Sequence, residues 1–211
     1  MSRKIFKSEA LLYPAVLVVF GALSFMRNFV WTDEIALWRD ASSKSPGIAR
    51  ALNNFGDALR IERRYEEAIP VFIRAIKNDP WYVEPHYNLA ASFVGTERYD
   101  DAIPEFDTVL RINAVLKGGH FGERFSSRNE LGAHANLGNI YNVKGMLGEA
   151  VSHYKEAIAI SKDDASVRFN LAITYKRLGM LKEAKAEFEE VLRIDPSDEG
   201  ARQNLSIIGG R

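Results

Sequence analysis

The sequence predicts an all-α chain in which an apolar N-terminal helix leads into a solenoid of stacked helical hairpins. Three observations predict it. The chain has a 34-residue beat, small residues return at two fixed places within each beat, and an uncharged run lies near the N-terminus. Aligned on Ala68, Ala102, Ala150 and Ala184, residues 49–82, 83–116, 131–164 and 165–198 share one degenerate pattern. A lone hairpin of this size cannot bury its apolar face, so neighbours must stack into a right-handed superhelix.

Composition narrows the class of partner. In 211 residues, 28 Lys+Arg balance 28 Asp+Glu, so no net field favours nucleic acid. The absence of cysteine excludes disulfides, thiolate nucleophiles and Cys-based zinc sites. With 46% hydrophobic and 27% charged residues, the composition is that of a folded domain.

The first element is the run from Ala10 to Met26, which carries no charge between Glu9 and Arg27. Its 17 residues reach roughly 26 Å as a helix, and continuing to Trp31 spans a hydrocarbon core of about 30 Å. Residues 10–31 are therefore expected to anchor the chain in a membrane, with residues 1–9 as a short tail. Arg27 would snorkel, Phe29 and Trp31 would sit in the aromatic belt, and Pro14 falls in the first turns. The competing reading is a signal peptide, because Arg3, Lys4 and Lys7 form a basic start and Ala22-Leu23-Ser24 a small-x-small site. Cleavage after Ser24 would release a secreted soluble adaptor. Basic residues close to the segment favour a cytoplasmic tail and an exterior repeat domain, which in a bacterial inner membrane is periplasmic.

Within each repeat, numbered 1 to 34, position 8 is Gly56, Ala90, Gly138 and Ala172, and position 20 is the aligned alanine. Position 11 is Leu59, Phe93, Tyr141 and Tyr175; position 24 is Phe72, Phe106, Tyr154 and Phe188; position 27 is Ala75, Val109, Ala157 and Val191. Small residues let two antiparallel helices approach, and the aromatics fill the space beside that contact. Proline after Asp79 and after Asp195 closes the first and fourth repeats.

This pattern resembles the tetratricopeptide repeat over residues 49–198. It departs from the family at position 4, often tryptophan there, which is Leu52, His86, His134 and Arg168 here. The resemblance implies the superhelical fold and a protein-binding role. Residues 32–48, with Trp38, Ala41 and Pro46, read as a leading half-repeat, and residues 199–211 as a capping helix.

In this family the first helices line a concave groove. Position 6 is Asn54, Asn88, Asn136 and Asn170, and the cap continues the series with Asn204, so these amides are candidates to hold a protein or peptide ligand. Tyr87, Asn139 and Phe169 join them as groove candidates. The alternative is that the asparagines only tie neighbouring helices together. Position 5 is Asn53, Tyr87, Ala135 and Phe169, which does not assemble the family's basic clamp for terminal carboxylates.

Residues 117–130 interrupt the period and are expected to form a long surface loop. His120, Phe121, Arg124 and Phe125 could grip a partner from it, or the phenylalanines could tuck onto the superhelix.

Nucleotide-loop, zincin, nucleophile-elbow and dinucleotide motifs are all missing, and no two histidines have helical metal-ligand spacing. Catalytic residues, cofactors and metals are accordingly not expected. The stretch Arg27 to Trp31, followed by Leu37-Trp38-Arg39-Asp40 and Lys44-Ser45-Pro46, is similar to the junction at which multispanning glycosyltransferase-type membrane proteins enter C-terminal repeats. The leading expectation is a non-catalytic, membrane-anchored scaffold that assembles proteins into a larger membrane complex. The alternative is an accessory subunit of an envelope glycosylation or polysaccharide system.

Overall fold

The computed structural model describes residue 16 and residues 18–21, 33–118 and 127–209. Residue 16 and residues 18–21 are helical. Most of the expected membrane helix over 10–31, and the tail over 1–9, lie outside the described residues. Among the described residues no helix is long and apolar enough to cross a membrane.

From residue 33 onward the described chain is all helical, with no strand: α1 (Glu34–Lys44), α2 (Ala49–Ile61), α3 (Tyr65–Asn78), α4 (Val83–Gly95), α5 (Tyr99–Lys117), α6 (Ser127–Val143), α7 (Leu147–Ile160), α8 (Ala165–Arg177), α9 (Leu181–Ile194) and α10 (Glu199–Gly209). Helices α2/α3, α4/α5, α6/α7 and α8/α9 form four hairpins, each packed on the next, with α1 against α2 and α10 against α9. The first helices of successive hairpins also touch each other, which places α2, α4, α6 and α8 along the inner curve.

One turn joins the helices of every hairpin. The amide of position 16 donates to the carbonyl of position 11, as in Arg64 to Leu59 (2.9 Å), Arg98 to Phe93 (2.8 Å), Met146 to Tyr141 (2.9 Å) and Met180 to Tyr175 (2.9 Å). This is the six-to-one bond of a Schellman ending, whose preceding residue must be left-handed. Position 15 supplies it with Gly145 and Gly179 (both φ 76°), but with Arg63 (φ 58°) and Glu97 (φ 59°) in the first two hairpins. Those two side chains accept a conformation that glycine adopts without steric cost.

The seam between paired helices is dry. Ala68, Ala102, Ala150 and Ala184 are all 0% exposed, as are Phe72, Phe106 and Phe188, and Tyr154 is 1% exposed. Glycine at position 8 is a steric requirement: a Cβ on Gly56 would lie 2.6 Å from the Phe72 ring, and one on Gly138 2.5 Å from Tyr154. The second and fourth hairpins carry buried Ala90 and Ala172 there, so each module fits its own backbone approach.

Two features depart from a uniform repeat. Pro70 and Pro104 lie inside α3 and α5, where each removes a backbone donor; Ser152 and Ala186 hold the equivalent positions in α7 and α9. The second concerns the interruption. Of the loop expected over 117–130, the two ends are helical, since Lys117 ends α5 and residues 127–130 open α6, while residues 119–126 lie outside the described residues. Helix α5 reaches 19 residues and α6 reaches 17, against 14 in α3 and 13 in α2. Part of the extra length is thus absorbed as helix, with Gly118 at the C-cap of α5 and a Lys117–Glu130 ion pair tying the extensions together. The continuation buries Asn113, whose equivalents Asp79, Ser161 and Asp195 are C-caps. Its Nδ2 has no hydrogen-bond partner among the described residues.

Candidate functional site

The inner helices bring the position-6 asparagines into one row, in which the amides of Asn88, Asn136, Asn170 and Asn204 donate to neighbouring groups and Asn54 accepts. Asn88 donates to Asn53 Oδ1 (3.1 Å) of the preceding hairpin, and Asn170 to Asn139 Oδ1 (3.0 Å). Asn136 donates to the Gly132 carbonyl (2.8 Å) and more distantly to the Tyr87 hydroxyl (3.4 Å). Asn204 donates to the Gly200 carbonyl (2.8 Å) and accepts from Lys176 (2.6 Å). Asn54 accepts a long bond from Asn53 (3.5 Å). Asn88 and Asn170 therefore tie neighbouring hairpins together through their NH₂ groups, whereas Asn136 and Asn204 donate chiefly to carbonyls of their own helices. Among the described residues, the side-chain oxygens of Asn88, Asn136 and Asn170 have no protein partner.

Tyr87 and Phe169 work across hairpin junctions. Tyr87 meets Phe106 edge to face (5.7 Å, 68°), and its hydroxyl lies where a Cβ on Gly132 would stand, 2.6 Å away. Phe169 meets Phe188 in the same way (5.5 Å, 72°), and a Cβ on Gly200 would approach it to 3.0 Å. An aromatic at position 5 thus faces glycine at position 2 of the following module, a pairing that spacing alone does not reveal. Asn139 is exposed and accepts from both the Tyr154 hydroxyl (2.7 Å) and Asn170. His120, Phe121, Arg124 and Phe125 lie outside the described residues.

A second row joins position 4 to position 23. His86 meets Glu105 (2.7 Å), His134 meets His153 (3.1 Å between Nδ1 atoms) and Arg168 meets Glu187 (2.7 Å), while Leu52 and Val71, which hold these positions in the first hairpin, are both buried. Helical spacing separates the histidines, but the hairpin brings two of them together. A constant 19-residue separation between complementary types was the available signal. Burial lowers the pKa of both His134 and His153. For His134, the charge on His153 adds to that effect, while Glu156 and Glu130 oppose it. Tyr141 stacks on His153 (5.4 Å, 13°). Burial also raises the pKa of the Tyr154 hydroxyl. Among the described residues no group of three or more His, Cys, Asp or Glu side chains could hold a metal ion.

A dry small-residue seam, an inner row of first helices and repeated hairpin turns define a helical-repeat solenoid. The chain carries tetratricopeptide repeats: that family's model matches residues 49–80 and 165–198, and a second model, described as TPR repeat, matches residues 138–179. A solved TPR protein, YrrB, described as having an unusual peptide-binding site, superimposes with a TM-score of 0.67 at 20% identity, covering 82% of each chain. MamA residues 41 to the end, from Desulfovibrio magneticus RS-1, gives 0.66 at 19% identity, covering 83% of this chain and 96% of that one. At such identities the likeness is one of fold.

The resemblance to glycosyltransferase-type proteins also has counterparts. Human Protein O-mannosyl-transferase TMTC3 is 24% identical over 165 residues, 77% of this chain and 18% of the relative. The Drosophila melanogaster Tmtc3 protein is 28% identical over 151 residues, 71% of this chain and 16% of its own. The chain thus spans less than a fifth of the length of these relatives.

Proposed function

We propose that the chain is a membrane-anchored, non-catalytic scaffold that holds an extended segment of a partner protein in the groove lined by α2, α4, α6 and α8. The observation that carries this reading is the row of unpartnered oxygens on Asn88, Asn136 and Asn170, which offers acceptors to the N–H groups of an extended backbone. The solenoid supplies a rigid frame and the amide donors hold the row in register.

Anchoring rests on the uncharged run from Ala10 to Met26. Where that run is described, Val18 is 70% exposed and Phe20 65% exposed, apolar surface that a bilayer would cover. The orientation proposed is single-pass in a bacterial inner membrane with the repeats periplasmic. A second reading, an accessory subunit of a glycosylation system, is favoured by the mannosyl-transferase relatives, and it gives the groove a partner enzyme or its substrate protein.

The test is photocrosslinking from position 88 or 136, each replaced in turn by a photoreactive residue. Partner crosslinks from these sites are expected, and crosslinks confined to α3, α5, α7 and α9 would count against groove binding. Protease added to spheroplasts should digest the repeats; full protection would overturn the exterior placement. Intact mass should retain the first 24 residues.

A further inference from the structure

The junction between the third and fourth hairpins holds an open cleft of about 270 Å³ lined by Asn139, Asn142, Val143, Tyr154, Asn170 and Ile173. Three features converge there. Val143 is 65% exposed, so the cleft has an apolar wall with no protein cover among the described residues. Asn139 Oδ1 accepts from both Tyr154 and Asn170, which uses its two lone pairs, and its NH₂ group has no protein partner among the described residues. Asn170, having given an amide proton to Asn139, keeps a free oxygen. A donor and an acceptor therefore stand side by side at the rim, the pairing that one peptide unit of an extended chain requires.

Charge narrows the occupant. Arg177 donates to the main-chain carbonyl of Asn142 (2.8 Å) at the same rim, and Lys176 donates to Asn204 (2.6 Å) on α10. Neither cation lies within ion-pairing distance of a carboxylate among the described residues. Position 9, where Asn139 stands, is Asp57 in the first hairpin, ion-paired to Arg60 (2.6 Å), and Ala91 in the second. Position 24 carries a hydroxyl in the third hairpin alone. The donor–acceptor pair and the apolar wall thus occur together at this junction, with Arg177 at its rim and Lys176 one residue before it, turned toward α10.

We propose that this cleft is the anchoring subsite of the groove. It takes an aliphatic side chain of an extended peptide, Asn139 and Asn170 hold the peptide unit beside it, and Lys176 and Arg177 meet an acidic side chain next to it. The proposal rests on the groove reading above and adds the place and the chemistry of the peptide.

The test pans a displayed library of random short peptides on the full-length protein. Clones enriched on the wild type are expected to share an aliphatic residue with Asp or Glu one or two places away. Lys176→Glu with Arg177→Glu, both outside the buried seam, should weaken those clones at least about tenfold and enrich Lys- or Arg-bearing ones instead. Tyr154→Phe, which keeps the ring and removes the bond that orients Asn139, should weaken them by a smaller factor.

Enrichment of clones without the aliphatic–acidic pairing, or clones indifferent to the charge reversal, overturns the subsite. In that case crosslinking from positions 88 and 136 still supports the groove. A library with no enriched clone, together with no groove crosslinks, overturns both.

Discussion

The first two hairpins and the last two have the same seam and different backbones. Hairpins one and two put Arg63 and Glu97 in the left-handed turn and Pro70 and Pro104 inside their second helices. Hairpins three and four have Gly145 and Gly179 in that turn, and Ser152 and Ala186 in place of the prolines. Both halves bury the same alanines and aromatics completely. The difference teaches that stacking against neighbours, which every module shares, is strong enough to carry two unfavourable backbone choices per hairpin. The half with the relaxed backbone is also the half whose inner face holds the open donor–acceptor pair.

Removing the prolines should break this contrast with the largest effect. Pro70→Ala and Pro104→Ala restore a helical donor each and should stabilise the protein by up to about 3 kcal/mol apiece, read from urea midpoints. Ser152→Pro should cost a similar amount. Unchanged midpoints would mean that α3 and α5 already accommodate proline, and the two halves would then be energetically alike.

Gly138→Ala tests the seam that the halves share. Its Cβ meets the buried Tyr154 ring, so a loss of about 1–3 kcal/mol is expected, and Gly56→Ala should behave likewise against Phe72. A neutral result in either would show that the ring can shift or the paired helices part enough to admit a Cβ, as Ala90 and Ala172 are admitted in the other two hairpins.

A smaller effect should come from the turns. Arg63→Gly and Glu97→Gly relieve a left-handed non-glycine residue and should gain up to about 1 kcal/mol each, less the entropy that glycine adds to the unfolded chain. Gly179→Glu should give the reverse sign.

The smallest effect sharpens the comparison at a single pair. His134 and His153 have pKa values below imidazole's ordinary 6.5, so the folded state binds fewer protons than the unfolded state in that range. Their contribution is whole above about pH 6.5 and is lost as pH falls below it. His134→Leu with His153→Val copies the Leu52–Val71 pair of the first hairpin. It should flatten the denaturation midpoint between about pH 5 and 7. Glu130, Glu156, Asp107 and Lys117 also act on His134 or His153, so an unaltered slope would assign the titration to them.

Much of the solenoid is legible in one sequence because packing repeats: Ala68, Phe72 and Ala75 recur as residue types every period, and burial is what their types encode. The pairs at positions 4 and 23 hide because the partnership is conserved in space while its chemistry changes from apolar to ionic. The asparagine row is visible as a column, yet the direction of each amide depends on a neighbour in another module. The helical ends at Lys117 and at residues 127–130 were concealed by the period itself, which assigns every surplus residue to the break. Gly118, the C-cap of α5, stands two residues beyond the last counted position.

The Tyr87–Gly132 contact has a consequence for how this chain can change. It joins α4 to α6 directly, across the surplus segment, so the register of the superhelix depends on side chains that meet and not on the number of residues between them. Loop-closure entropy grows by only about 0.6 kcal/mol per doubling of length. The junction therefore works as an insertion port: sequence can enter or leave between α5 and α6 while the modules on either side keep their alignment.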